Sequence, residues 1–199
     1  ATFETEVPPW LKNKESGWLT AEYGMLPTST NSRNRREAKQ GKQSGRTIEI
    51  QRLIGRSLRT ILDLQVFPSK QFIIDCDVIE ADGGTRTVAI TGAYVALALA
   101  VKKLLKKRIL TQNPIKDSIS AISCGIVNGK ILVDLDYNED SRADVDANFV
   151  FTQKSGISEV QISGEKSTFS LKTITKMLKL SLKSTEKISR LQEKVIGKI

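Results

Sequence analysis

The run Asp75-Cys76-Asp77-Val78-Ile79-Glu80-Ala81-Asp82-Gly83-Gly84-Thr85-Arg86-Thr87 joins a strand to a helix, and the organisation of the chain follows from it. Phe72–Ile79 is rich in isoleucine, valine and phenylalanine and predicts a β-strand, and the polar, glycine-bearing segment 81–87 ends it. The apolar body Ala89–Leu105 then predicts a helix closed by Lys102, Lys103, Lys106, Lys107 and Arg108, cations that suit the negative end of a helix dipole. Where a strand ends and a helix starts, unpaired backbone N–H groups and the positive dipole end favour an anion. Arg86 adds a planar, permanently charged fork matched to phosphate oxygens, and Thr85 a hydroxyl donor. The residues alone fit a phosphate seat and also an ordinary tight turn whose glycines only supply positive φ. A Walker loop is excluded because its Gly-Lys-Ser/Thr ending is absent, as is the three-glycine dinucleotide fingerprint.

Outward from this junction the elements alternate in type. Upstream, Ile48, Ile50, Leu53, Ile54, Leu58, Ile61 and Leu62 recur at mostly three- and four-residue steps, which predicts an amphipathic helix over 47–64 with Arg52, Arg56 and Arg59 on its other side. Residues 27–46 carry almost nothing apolar, and 7–25 read as an irregular loop leading into a short extended stretch. Downstream, Ile119–Val127 and Lys130–Leu135 are strand-like runs joined by Asn128-Gly129, the chemistry of a two-residue type I′ hairpin. An acidic stretch, Asp136–Asp144, leads to strands at Val145–Thr152 and Ile157–Ile162, and Ser170 is a good N-cap for a lysine-striped helix that runs towards the end. The order predicts an α+β fold without repeats. Ala1-Thr2-Phe3-Glu4-Thr5-Glu6 reads like the end of an element already under way.

With 199 residues, 39% of them hydrophobic and 27% charged, the chain has the composition of one globular domain. The longest apolar run, Ala89–Leu105, is broken by Thr91, Lys102 and Lys103, so no membrane span is expected. Cys76 and Cys124 fall inside strand-like patterns rather than at framework spacings, which fits a reducing, cytoplasmic setting. The net charge of +9 is uneven. Six Lys or Arg against one Glu between Arg33 and Arg46 leave +5, and nine against two from Lys166 onward leave +7, so the remainder is near −3. Basic segments of this kind meet phosphates or form solvated faces, and composition fits both. In 33–46 no aromatic is interleaved, so any nucleic-acid contact there would be to phosphates.

Six carboxylates, Asp134, Asp136, Glu139, Asp140, Asp144 and Asp146, fall within thirteen residues. Asp144 and Asp146 are two apart, and a strand beginning there would point both to one face, with Asp140 brought alongside by the loop. Clustered hard oxygens suit Mg²⁺ or Mn²⁺, while on composition alone a solvated acidic loop explains them more readily; an EF-hand does not, because Glu139 stands at its glycine position. The chain has no histidine, which excludes serine–histidine, cysteine–histidine and zinc–histidine chemistry and leaves arginine and aspartate.

Three blocks together, Gly17-Trp18-Leu19-Thr20-Ala21-Glu22-Tyr23-Gly24-Met25-Leu26-Pro27, Gly41-Lys42-Gln43-Ser44-Gly45-Arg46-Thr47-Ile48-Glu49-Ile50-Gln51-Arg52-Leu53-Ile54-Gly55-Arg56 and the opening run 75–87, resemble the bacterial ribonuclease PH family. So does Gly125-Ile126-Val127-Asn128-Gly129 with the acidic stretch through Asn148, and the likeness covers residues 1 to about 182. It implies a ring-forming α+β fold, a hexamer built as a trimer of dimers, and phosphorolysis of tRNA precursors from their 3′ ends with release of nucleoside diphosphates. It also implies that residues 1–199 are a single domain lacking the family's opening strands. By residue match, Arg46 and Gly84-Thr85-Arg86 would hold the attacking inorganic phosphate, and Asp140 and Asp146 would carry Mg²⁺ or Mn²⁺ or assist proton transfer, with Asp144 nearby. Arg33 and Arg36 match arginines that grip tRNA, Arg35 adds a charge beside them, and Thr28 stands where the family usually has an arginine. Residues 28–46 would thus be an RNA-contacting loop and 166–199 a basic helix and tail. One rival is a non-catalytic RNA-binding ring subunit of the same fold; such subunits usually lose the phosphate arginines or the aspartates, which this chain keeps, and the other rival is an inactive truncated form.

Overall fold

The structure, a computed structural model, describes residues 1–12, 14–154, 156–166 and 168–198; Ser167 and Ile199 of the predicted basic tail lie outside the described residues. Strand β2 (Trp18–Met25) and strand β3 (Gln71–Val78) pair in parallel with Trp18 opposite Gln71 and Met25 opposite Val78. Parallel neighbours require a crossover, and helix α1 (Gly45–Thr60) supplies it. The short strand β1 (Thr2–Glu4) runs antiparallel on the other edge of β3, at Gln71–Ile73 only. Beyond Ile73 that edge faces no strand among the described residues. A groove of about 540 Å³ lies there, between Asp75–Ile79 and the Val88, Ala89, Gly92 and Ala96 side of helix α2 (Thr85–Lys106).

The second sheet is antiparallel, in the order β5-β4-β6-β7, from β4 (Ile119–Val127), β5 (Lys130–Val133), β6 (Val145–Thr152) and β7 (Gly156–Gly164). Asn128 and Gly129 both have positive φ, 51° and 74°, as the predicted type I′ hairpin requires. Helices α1 and α2 lie between the sheets, and α4 (Leu171–Ile196) covers the far side of β4 and β6. Strand β4 is therefore buried on both faces, which explains its unbroken run of apolar and small residues. Its odd positions Ile119 and Ala121 join the core of Leu19, Ile54, Phe72, Ile90 and Leu97, while Cys124 joins Ala147, Phe149 and Met177 under α4.

The acidic stretch contains a helix rather than only a loop: α3 (Tyr137–Arg142) is closed at its start by a capping box. The Asp136 carboxylate accepts from the Glu139 backbone N–H at 2.8 Å, and Glu139 accepts from the Asp136 backbone N–H at 3.2 Å. The extended stretch before residue 25 is a full eight-residue strand, because β3 provides a partner at every position. Helix α2 also corrects an expectation. At 22 residues, with a window of mean hydropathy 1.7, it is long and apolar enough by composition to cross a bilayer, despite Thr91, Lys102 and Lys103. Here Ile90, Leu97, Ala98 and Val101 place one side of it in the core, while Val88 and Leu99 are exposed.

Gln192 on α4 ties the layers together, with Nε2 donating at 3.0 Å to the carbonyls of Thr91 on α2 and Ile119 on β4. Gln192→Ala removes both bonds, and each hydrogen bond contributes about 0.5–1.5 kcal/mol net, so the variant should melt several degrees lower in a thermal scan. An unchanged transition would show that water replaces the amide there.

Candidate active site

The Gly83-Gly84 turn is fixed by close approach to the segment that leads into α3. A Cβ on Gly83 would collide with the carbonyl oxygen of Leu135 and lie 2.8 Å from the carbonyl carbon of Asp136, so only glycine fits. Asp82 Oδ1 accepts from the Tyr137 backbone N–H at 2.7 Å, and the Ser123 hydroxyl accepts from the Leu135 backbone N–H at 3.1 Å. Gly84, at φ 69°, is the N-cap of α2, which puts Thr85 and Arg86 in the first turn of a 22-residue helix. This places the arginine at the positive dipole end, as the sequence suggested.

Each side chain of the turn is oriented by another element. The Tyr23 hydroxyl of β2 donates to Thr85 Oγ1 at 3.1 Å. Arg86 Nη1 donates to Gln161 Oε1 of β7 at 2.8 Å and to Glu49 Oε1 of α1 at 3.4 Å, and Gln161 Nε2 donates to Glu49 at 3.3 Å. The Arg86 side chain is only 15% exposed. Both of its bonds use Nη1, which leaves the rest of the fork for phosphate oxygens.

Arg46, exposed in the first turn of α1, lines a cavity of about 430 Å³ with Tyr23, Arg35, Arg36, Glu37 and Thr47. Tyr23 therefore borders the Arg46 cavity and reaches Thr85 with its hydroxyl. Glu37 pins the basic loop to α1 by accepting from the Ser44 backbone N–H at 3.2 Å and the Thr47 hydroxyl at 2.8 Å. Arg33 is exposed and outside that lining.

Asp140 and Asp146 share a third depression, of about 340 Å³, with Ser141, Ala143, Glu165 and Lys166. Burial first, then the negative charge of Asp140, raises the Asp146 carboxyl above its ordinary range; Arg86 opposes this and Glu165 adds to it. Asp146 thus lies within electrostatic reach of Arg86. Asp144 sits one residue before β6 and takes part through its backbone, its N–H donating to the Ile126 carbonyl at 2.8 Å and its carbonyl accepting from the Glu165 N–H at 2.9 Å. Asp144 is not in the lining of the depression that contains Asp146. Among the described residues no three carboxylate, cysteine or histidine groups converge as a ready metal cage. Two carboxylates are nonetheless a donor set that Mg²⁺ takes when it keeps several waters.

Comparison with known proteins gives the family. Residues 1–103 match the profile of the 3′ exoribonuclease family, domain 1, and residues 117–184 that of domain 2. Ribonuclease PH from Caulobacter vibrioides is 52% identical over 197 residues, covering 99% of this chain and 83% of the relative, in each of two strains. The chain belongs to the ribonuclease PH family of 3′ exoribonucleases.

The fold of this ribonuclease PH family chain recurs in solved structures of low identity. Rice (Oryza sativa) Rrp46 superposes with a TM-score of 0.75 at 19% identity, covering 99% of this chain and 81% of that one. The Archaeoglobus fulgidus exosome with RNA bound to its active site gives a TM-score of 0.73 at 18% identity, covering 95% and 75%. Four residues around the family's turn were not singled out from the sequence: Tyr23, Glu49, Asp82 and Gln161. A single amide or carboxylate carries no spacing signal, and Gln161 lies 75 residues from the Arg86 it orients.

Proposed function

We propose that this ribonuclease PH family chain shortens RNA, tRNA precursors among its substrates, by phosphorolysis at Arg86 and its neighbours, and that the same site adds nucleotides from nucleoside diphosphates in reverse. The observation that carries the reading is Arg86, held at the start of α2 by Glu49 and Gln161 with part of its fork free. An oxygen of inorganic phosphate attacks the phosphorus of the last phosphodiester, and the bond to the 3′ oxygen of the shortened RNA breaks. That oxygen leaves with a proton, and the former terminal nucleotide departs as a nucleoside diphosphate. Bringing an anionic nucleophile to an anionic ester requires fixed positive charge, which Arg86, Arg46 and the α2 N-terminus supply without reorganisation.

Asp140 and Asp146 would hold Mg²⁺ or Mn²⁺, which when bound offsets charge gathering on the leaving oxygen. Arg33, Arg35 and Arg36 would grip the RNA backbone, all three being exposed on the 28–46 loop. We take residues 1–199 to work as one unit in a ring of six copies in the cytoplasm. The continuous core shared by both sheets supports the first point, and the unpaired cysteines Cys76 and Cys124 are in keeping with the last.

The test is trimming of a short RNA with a 3′ extension, in Mg²⁺, with and without inorganic phosphate. Shortening that starts only when phosphate is added is expected, and equal shortening without it would overturn the reading. The electrostatics give a further check. Asp140→Asn removes a negative neighbour, so in the metal-free protein the Asp146 carboxyl should titrate at lower pH in a carbon-detected NMR titration. Because the native state holds the Asp146 proton more tightly than the unfolded chain, stability falls as pH rises from the unfolded to the raised native value. Asp140→Asn should narrow that window, and an Asp146 titration that stays put or moves up would show that the two carboxylates do not interact.

A further inference from the structure

Helix α4 carries Lys172, Lys176, Lys179, Lys183, Lys187, Arg190 and Lys194, all exposed. Their steps of four, three, four, four, three and four residues keep them within a wedge of about 80° at ~100° per residue. Seven cations against two glutamates leave +5 over the helix. The opposite face is occupied, since Met177, Ser181, Thr185, Ser189 and Gln192 are buried against the second sheet. Among the described residues none of the seven is ion-paired. The result is a continuous positive ridge about 33 Å long, at ~1.5 Å per residue.

The chain reaches the ridge from the depression that holds the carboxylates, six residues separating Lys166 from Lys172. Ser170, the N-cap of α4, follows Lys166 by four residues, and Lys166 both lines the depression of Asp140 and Asp146 and donates to the Arg142 carbonyl at 2.9 Å. Met177 shares the core under α4 with Val145 and Ala147, on the face of β6 opposite to the Asp146 side chain. The helix has no aromatic residue, so it offers charge without stacking.

We propose that the Lys172–Lys194 ridge is a sequence-independent track for the phosphodiester backbone of RNA whose 3′ end lies in the active site. The proposal rests on the exoribonuclease reading for the identity of its polyanion. At about 3.4 Å per nucleotide along a helical strand the ridge spans ~10 nucleotides, so it engages long RNA and not the shortest substrates.

The test compares the wild-type chain with a variant carrying Lys179→Gln, Lys183→Gln, Lys187→Gln and Lys194→Gln, and with a second carrying arginine at the same four positions. Binding of a 30-nucleotide single-stranded RNA is measured from low to high salt. Each phosphate that the protein ceases to neutralise lowers the slope of log affinity against log salt by ~0.7, so the glutamine variant should bind with a slope shallower by about 2–3 and the arginine variant should match wild type. Phosphorolysis should show a KM at least tenfold higher for the long RNA, with kcat and the rate on a tetranucleotide unchanged. An unaltered slope and KM would overturn the track. So would altered sedimentation, or altered binding to anionic phospholipid vesicles, with RNA constants unchanged, because the ridge would then serve a second copy or a lipid surface. Failure of wild type to release nucleoside diphosphate would instead count against the enzyme reading, while the binding slope would still decide the track.

Discussion

Arg86→Ala is expected to lower phosphate-dependent release of nucleoside diphosphate by roughly 10²–10³-fold, the loss seen when one preorganised charge-stabilising donor is removed. The side chain does three things at once. It offers a fork at the N-terminus of α2, it is aimed by Glu49 and Gln161, and it opposes the burial and the carboxylates that raise Asp146. Alanine removes all three, so the variant should also move the Asp146 titration to higher pH. Stability should change little, because Glu49, 40% exposed, can recover water. Arg86→Lys keeps the charge without the planar fork and should recover only part of the rate. Steady-state kinetics with phosphate as the varied substrate read all of this. A rate for Arg86→Ala within threefold of wild type would remove Arg86 from the site.

Gly83→Ala tests the architecture rather than the charge. Its methyl group would meet backbone, the Leu135 carbonyl and the Asp136 carbonyl carbon, neither of which can rotate away as a side chain would. Overpacking of this kind costs about 1–3 kcal/mol, and a reacting group misplaced by ~1 Å costs about 10²-fold in rate. We expect both, a transition several degrees lower and a large loss of phosphorolysis. Gly92→Ala is the control. A Cβ there meets nothing within 4 Å, and in mid-helix the change should stabilise by about 0.5–1 kcal/mol. If Gly83→Ala behaved like Gly92→Ala, the close approach of the turn to the α3 segment would be refuted.

Local chemistry made much of this legible in the sequence. Asn128-Gly129 demanded a type I′ hairpin, Ser170 demanded a helix start, and Val145–Thr152 alternated as a strand does; each is found at those residues. The acidic stretch was less transparent, because carboxylates that cap a helix and carboxylates that line a depression look alike in sequence. Asp136 and Glu139 are consumed by the cap of α3, whereas Asp140 and Asp146 remain together. Least legible were the partners of the turn, since Glu49 and Gln161 meet Arg86 only after α1 and β7 are brought to α2 across 112 residues of sequence. Fold and charge lie in periodicity and composition, but the aiming of Arg86 lies in tertiary contacts that leave no pattern.

The measurement that tests the central claim most directly is the fate of labelled phosphate. RNA with an unlabelled 3′ extension is incubated with the protein, Mg²⁺ and ³²P-labelled inorganic phosphate, and the released nucleotides are separated. If phosphate is the nucleophile, the label appears in the β position of nucleoside diphosphates and is lost with Arg86→Ala. Release of unlabelled nucleoside monophosphates would mean that water attacks, and would contradict the account.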